Sequence, residues 1–360
     1  MTMTGSTDAA RLHARGDIRV SEERVAAADP GEVLIAVTSV GLCGSDLHWF
    51  QDGGIGDARL SRPLILGHEF AAVIADGPRA GERVAVDPAD PCGHCAACAA
   101  GRENLCLAMR FAGHGTTDGA LRQVMPWPER LLHRLPDSLS DDEGALLEPL
   151  GVAIHAIDLG SIPVGGRVGV YGCGPIGLLL IQLALVAGAS RVVATDVIGH
   201  RVATARSFGA DLPFVVDEAE DDDGPGDPAI STERRAARDE PVDVAFEAAG
   251  SDAALADAVA AVRPGVRVVL VGIPGGDRTT FGAGLARRKE LTFLLSRRMV
   301  STDLDRAIGL AGSGRIRLAP LVTDRFPLAR AGEAFAAAAA RRGLKVIVSP
   351  SDRVPGAGAA

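Results

Sequence analysis

The chain of 360 residues reads as an α/β protein, a doubly wound parallel-sheet domain set into a mainly-β one. Three observations predict this. A strand-length apolar run at 167–171 runs straight into Gly172, Gly174 and Gly177 in G-x-G-x-x-G spacing, and a helix-length apolar run at 178–187 follows. From 167 to 295 strand and helix patterns alternate, as crossover connections in a parallel sheet require. Before residue 90, short runs rich in β-branched residues alternate with turns. The expected domains are residues 1–155 with 297–360, and residues 156–296.

Taken in order, residues 1–40 read as short strands, of which 33–40 (V-L-I-A-V-T-S-V) is the clearest. Next comes Gly41-Leu42-Cys43-Gly44-Ser45-Asp46-Leu47-His48, then a glycine-rich loop through Gly56, then Gly67-His68-Glu69 behind a proline-led apolar run. Strand patterns at 71–74 and 83–86 precede four cysteines at 92–106, and from 146 to 157 the pattern turns helical. In the second domain 191–195, 242–247, 266–271 and 291–295 read as strands, and 253–262 reads as a helix. The acidic stretch 217–240, which carries Pro and Gly, is expected to be an exposed loop. A helix at 303–311 and the segment 321–348 return the chain to the first domain. The tail from 349 is expected to fray.

The glycines have separate jobs. The first permits a tight strand-to-helix turn, the second lets backbone approach a pyrophosphate, and the third lets helix and strand pack closely. With Pro175 and Ile176 completing the turn, phosphates would lie against the N–H groups that open the helix. Asp196 ends the next strand, nineteen residues past Gly177. A carboxylate there accepts hydrogen bonds from an adenosine ribose and repels a 2′-phosphate. Arg201, five residues later, argues the other way because it could attract that phosphate. The carboxylate is expected to prevail, which favours NAD over NADP.

Charged residues make up 23% and hydrophobic ones 47% of the chain, as in ordinary globular proteins. A net charge of −9 argues against a general nucleic-acid or membrane-surface binder. No apolar run reaches membrane-spanning length, and the N-terminus lacks a basic segment followed by an apolar one. A cytoplasmic protein is expected. Of six cysteines, four are bunched as Cys92-x-x-Cys95-x-x-Cys98 with Cys106 eight residues on, which reads as metal ligation rather than disulfides. Four thiolates in one lobe suit a closed tetrahedral zinc site with no position left for substrate, and an iron–sulfur cluster stays chemically open. A second set is dispersed: Cys43, His68, Glu69 and Glu148. One thiolate, one imidazole and one carboxylate can bind zinc and leave a fourth position open. Spacing alone does not establish that site.

The matches that do so are G-L-C-G-S-D-L-H (41–48), L-G-H-E (66–69), the four-cysteine lobe, L-E-P-L (147–150), G-C-G-P-I-G (172–177) and V-D-V-A-F-E-A-A-G (242–250). With these the chain resembles the zinc-dependent medium-chain alcohol dehydrogenases over nearly its full length. It is most similar to their polyol branch, the sorbitol and L-idonate 5-dehydrogenases. H-W-F-Q-D-G-G-I-G (48–56), Glu148 in place of a third cysteine, P-L-V-T-D-R-F-P-L (320–328) and L-K-V-I-V (344–348) carry that likeness. The resemblance implies a GroES-like catalytic domain beside a Rossmann domain, with one catalytic and one structural zinc. Cys43, His68 and Glu69 would be ligands of the first, and Glu148 would stand beside them through a water or exchange with Glu69. Asp46 would orient His68, while Ser45 and His48 would relay the alcohol proton to solvent. Val271 and Ile273 would join the glycine turn around NAD, and Trp49, Phe111 and Arg297 would face the substrate. Two departures stand out: Trp49 replaces the tyrosine of sorbitol dehydrogenases, and Arg298 replaces an aromatic residue after Arg297. A guanidinium at Arg297 can hold a carboxylate, but an equivalent arginine serves hydroxyls in sorbitol-type members and does not decide between them. With Trp49 in place of their tyrosine, a sugar acid such as L-idonate is expected, with a neutral polyol next. L-Threonine and short alcohols are more remote alternatives. A homodimer or homotetramer would be usual for the family.

Overall fold

The computed structural model describes residues 5–216 and 241–351; the expected acidic loop at 217–240 and the end of the tail lie outside them. The chain divides into two compact units. The first holds the residues up to Gly151 and those from Met299 on, and the second is Val152–Arg298.

The first unit is built on a seven-stranded sheet. Strands run across it in the order Leu132–Arg134, Arg83–Val86, Glu69–Ile74, Glu32–Gly41, Lys345–Ser349 and Val322–Pro327, with Val124–Pro128 also pairing with Glu32–Gly41. Alternation in the central strands sends Ile35, Val37, Val40, Phe70 and Ile74 into a core shared with Trp127 and Phe335. The register sets up the chemistry. Gly41 lies opposite Glu69 on one side and Ile347 on the other. Cys43, two residues past Gly41, and His68, one residue before Glu69, therefore leave the sheet at the same edge. A gap of 25 residues in sequence is closed by strand pairing.

Between them lies a helix that strand-type patterning did not reveal, Gly44–Asp52. The Cys43 N–H donates to Asp46 Oδ2 at 3.0 Å, which satisfies one of the open donors at the helix start. Gly53 ends it in the left-handed region at φ 72°, where a side chain would be strained.

The second unit is a six-stranded parallel sheet. Its order is Leu212–Val215, Arg191–Asp196, Arg167–Tyr171, Val242–Glu247, Val262–Leu270 and Thr292–Leu295. Numbered along the chain this is 3-2-1-4-5-6, so the order reverses between Arg167–Tyr171 and Val242–Glu247, the switch point at which such sheets bind ligands. The helix expected to reach 262 ends at Ala261, and the next strand starts at Val262 rather than 266. Val262 is already extended at φ −74° and ψ 145°, and Pro264 keeps Arg263 from continuing the helix. No described helix is long and apolar enough to cross a membrane.

Candidate active site

The edge of the first unit's sheet collects Cys43, His68 and Glu69, whose ligand atoms all lie within 4.8 Å of one another. Glu69 and His68 are buried and Cys43 is half-buried. Gly41 is required beside them, because a Cβ there would run into Glu69 Oε2. Asp46 is fully buried, accepting from the Gly67 N–H at 3.3 Å and standing 3.4 Å from His68 Nδ1. Burial works against the His68 cation, but Asp46 and the Cys43 thiolate hold its pKa well above the ordinary value. The opposite ring nitrogen, Nε2, is 3.4 Å from Ser45 Oγ.

Glu148 does not join that cluster. It is buried close by, and burial pushes its carboxyl up to about 8, with the His68 cation opposing and the Glu69 anion adding to the rise. A residue missed in the sequence reading completes the arrangement. Lys345 is buried, and its ammonium donates to Glu69 Oε1 at 2.8 Å, Glu69 Oε2 at 2.7 Å and the Leu42 carbonyl at 3.1 Å. Burial opposes its charge, yet the anions around it, Glu69 first, raise its pKa. A lysine inside the apolar run L-K-V-I-V was the available signal.

His48 lies on the Gly44–Asp52 helix, and its Nδ1 is 3.0 Å from Asp52 Oδ2. Trp49, on the buried side of that helix, meets the edge of His114 at a ring separation of 5.5 Å. Phe111 lies 5.4 Å from the His68 ring and 6.4 Å from that of His114. An aromatic wall thus stands beside the ligand cluster, and His114 is a member that no sequence motif marked.

The structure brings the four cysteines of the lobe together. Sγ separations are 3.5 Å for Cys95–Cys98, 3.9 Å for Cys95–Cys106 and 3.6 Å for Cys92–Cys106. Four sulfurs at about 2.3 Å from a central zinc would stand about 3.8 Å apart, so the geometry fits a tetrahedral ion. The Cys98 N–H draws the Cys95 thiol down to about 6, whereas burial sends Cys98 up to about 12.

In the second unit the glycine turn joins Arg167–Tyr171 to the helix Pro175–Val186. Gly172 has φ 106°, and a Cβ at Gly177 would collide with the Gly172 carbonyl. A Cβ at Gly174 would meet only Arg201 Nη1, at 3.7 Å, so its outer face has room for a ligand. Asp196 accepts from the Cys173 N–H at 2.7 Å and the Ile198 N–H at 2.9 Å, with Arg201 at 4.0 Å. The carboxylate therefore braces the turn as well as ending its strand. The Val271 N–H donates to the Glu247 carbonyl, which ties it to the sheet, and Ile273 is exposed. Arg297 is exposed just past Thr292–Leu295.

The chain is similar to known proteins along nearly its whole length. The family model described as "Alcohol dehydrogenase GroES-like domain" matches residues 29–137, and "Zinc-binding dehydrogenase" matches 175–312. Sorbitol dehydrogenase of Gallus gallus is 36% identical over 363 residues, covering 99% of this chain and 100% of that protein. Sorbitol dehydrogenase of Bacillus subtilis (strain 168) is 34% identical, covering 97% and 99%. Among solved structures, L-idonate 5-dehydrogenase from Escherichia coli K-12 superposes with a TM-score of 0.86 at 27% identity, covering 97% of this chain and 99% of that one.

Proposed function

Because the chain belongs to the zinc-dependent medium-chain dehydrogenases, in their polyol branch, we propose that it oxidises a secondary hydroxyl of a sugar acid of the L-idonate kind, passing hydride to NAD. The observation that carries this is the convergence of one thiolate, one imidazole and one carboxylate within 4.8 Å. Three such ligands leave a fourth position for substrate. When bound, zinc supplies a Lewis acid that makes a hydroxyl acidic near neutral pH, and NAD supplies the hydride acceptor. Cys43, His68 and Glu69 would hold that zinc, with Asp46 fixing the His68 tautomer and Glu148 reaching the site through a water. Cys92, Cys95, Cys98 and Cys106 would hold a second, structural zinc.

Ser45 takes the hydroxyl proton and passes it towards His48. Gly172, Gly174, Pro175, Ile176 and Gly177 seat the pyrophosphate, and Asp196 disfavours a 2′-phosphate. Arg297 supports the acid reading, since a buried carboxylate needs a paired cation. A neutral polyol is the second reading, favoured by the identity with two sorbitol dehydrogenases. A panel of polyols and aldonates, with NAD and NADP compared by absorbance of the reduced cofactor, separates them. L-idonate with NAD is expected to give the highest kcat/KM. Fast turnover of sorbitol or xylitol with none of L-idonate would overturn the acid reading.

A further inference from the structure

We propose that Asp52 is the outer member of the proton path, a positioning residue that acts through His48; this rests on the relay role just given to Ser45 and His48. Ser45, His48 and Asp52 stand at i, i+3 and i+7 on one helix, so they share a face. Exposure rises outward along that face, from half-buried Ser45 to 25% for the His48 side chain and 56% for that of Asp52.

The position is a poor one for a structural carboxylate. Asp52 is the last residue of its helix, against the negative end of the dipole, and no basic residue occupies the last turn. Capping there is done by other groups. The Gly53 N–H bonds the Trp49 carbonyl, and Arg15 Nε bonds the Gln51 carbonyl at 2.7 Å. What Asp52 does have is His48 Nδ1 at 3.0 Å. A ring that donates Nδ1–H to Asp52 keeps its lone pair on Nε2, ready to accept a proton from the Ser45 side. The proton gained at Nε2 is matched by the one lost from Nδ1 to the carboxylate and on to water, and exchange with water restores the first tautomer. No oxidant or reductant enters these steps.

The test follows proton release during the first turnover with a pH indicator in weak buffer, using the zinc-loaded enzyme, NAD and whichever of L-idonate or sorbitol the wild type oxidises. Asp52→Asn, which keeps the side-chain shape, is expected to slow release about tenfold with KM unchanged, and added imidazole is expected to restore the rate. Wild-type release by Asp52→Asn in weak buffer, or a loss that imidazole does not rescue, overturns the proposal. His48→Gln separates this from the relay itself. If it too releases protons at the wild-type rate, the relay falls and this inference falls with it. If it is slow while Asp52→Asn is not, only the role of Asp52 is lost.

Discussion

Lys345 and Glu69 are each enclosed by protein, with side-chain exposures of 4% and 1%. A buried pair of this kind is costly to break because the remaining charge keeps its desolvation penalty and loses its partner. Lys345→Ala is therefore expected to destabilise the fold by about 3–5 kcal/mol, measured by urea unfolding; wild-type stability would show that water reaches Glu69. Asp87 makes a second prediction at this scale. Burial pushes its carboxyl up to about 6 although the Ala89 N–H donates to it. Between the ordinary aspartate value and 6 the native state holds a proton that the unfolded chain has released, so stability falls as pH rises through that window and levels off above it. Asp87→Asn removes this loss while its carbonyl oxygen can still accept from Ala89. The variant should match the wild type near pH 4 and exceed it by on the order of 2–3 kcal/mol at pH 7. Parallel stability curves for the two proteins from pH 4 to 7 would contradict the assignment.

At the scale of elements, the glycine turn shows how far local pattern reaches. Its strand, turn and helix follow from a run of neighbours, and each glycine's function is a short-range steric fact. Gly177→Ala would press a methyl into the Gly172 carbonyl, with no flexible side chain to yield. A cost of about 1–3 kcal/mol and weaker NADH binding by fluorescence titration are expected. Unchanged NADH affinity would mean that the turn is looser than it stands. The helix Gly44–Asp52 was not legible in the same way. Its nine residues include Gly44, Ser45 and two aspartates, poor helix formers, and it is held by Cys43 and Asp46 at one end and Gly53 at the other.

At the scale of the whole molecule the two ligand clusters differ in what they hold together. The four cysteines lie in a lobe whose residues 92–106 are absent from the first unit's hydrophobic core cluster, whereas Cys43, His68 and Glu69 stand at a packed sheet. Cys98→Ser should lower the melting temperature and solubility and lose one zinc per chain, while Cys43→Ser should abolish activity with the melting temperature nearly kept. Equal melting temperatures for the two variants would undo that division. The sequence by itself determined the parallel sheet, the glycine turn and the gathering of the four cysteines, because each strand–helix–strand repeat, the turn and the cysteine lobe are all written among near neighbours. Family motifs, rather than spacing, brought Cys43, His68 and Glu69 to one site. Only the tertiary structure decided that Glu148 stands outside the cluster of those three, that Asp196 braces the turn, and that Lys345 pairs with Glu69. These depend on strand register and on which groups are buried together, and Lys345 lies 276 positions from Glu69. Ion pairing across such a distance leaves no periodic trace in a single sequence. It arises when Gly41 pairs with Glu69 on one side and Ile347 on the other, which brings three distant segments to one edge of a sheet.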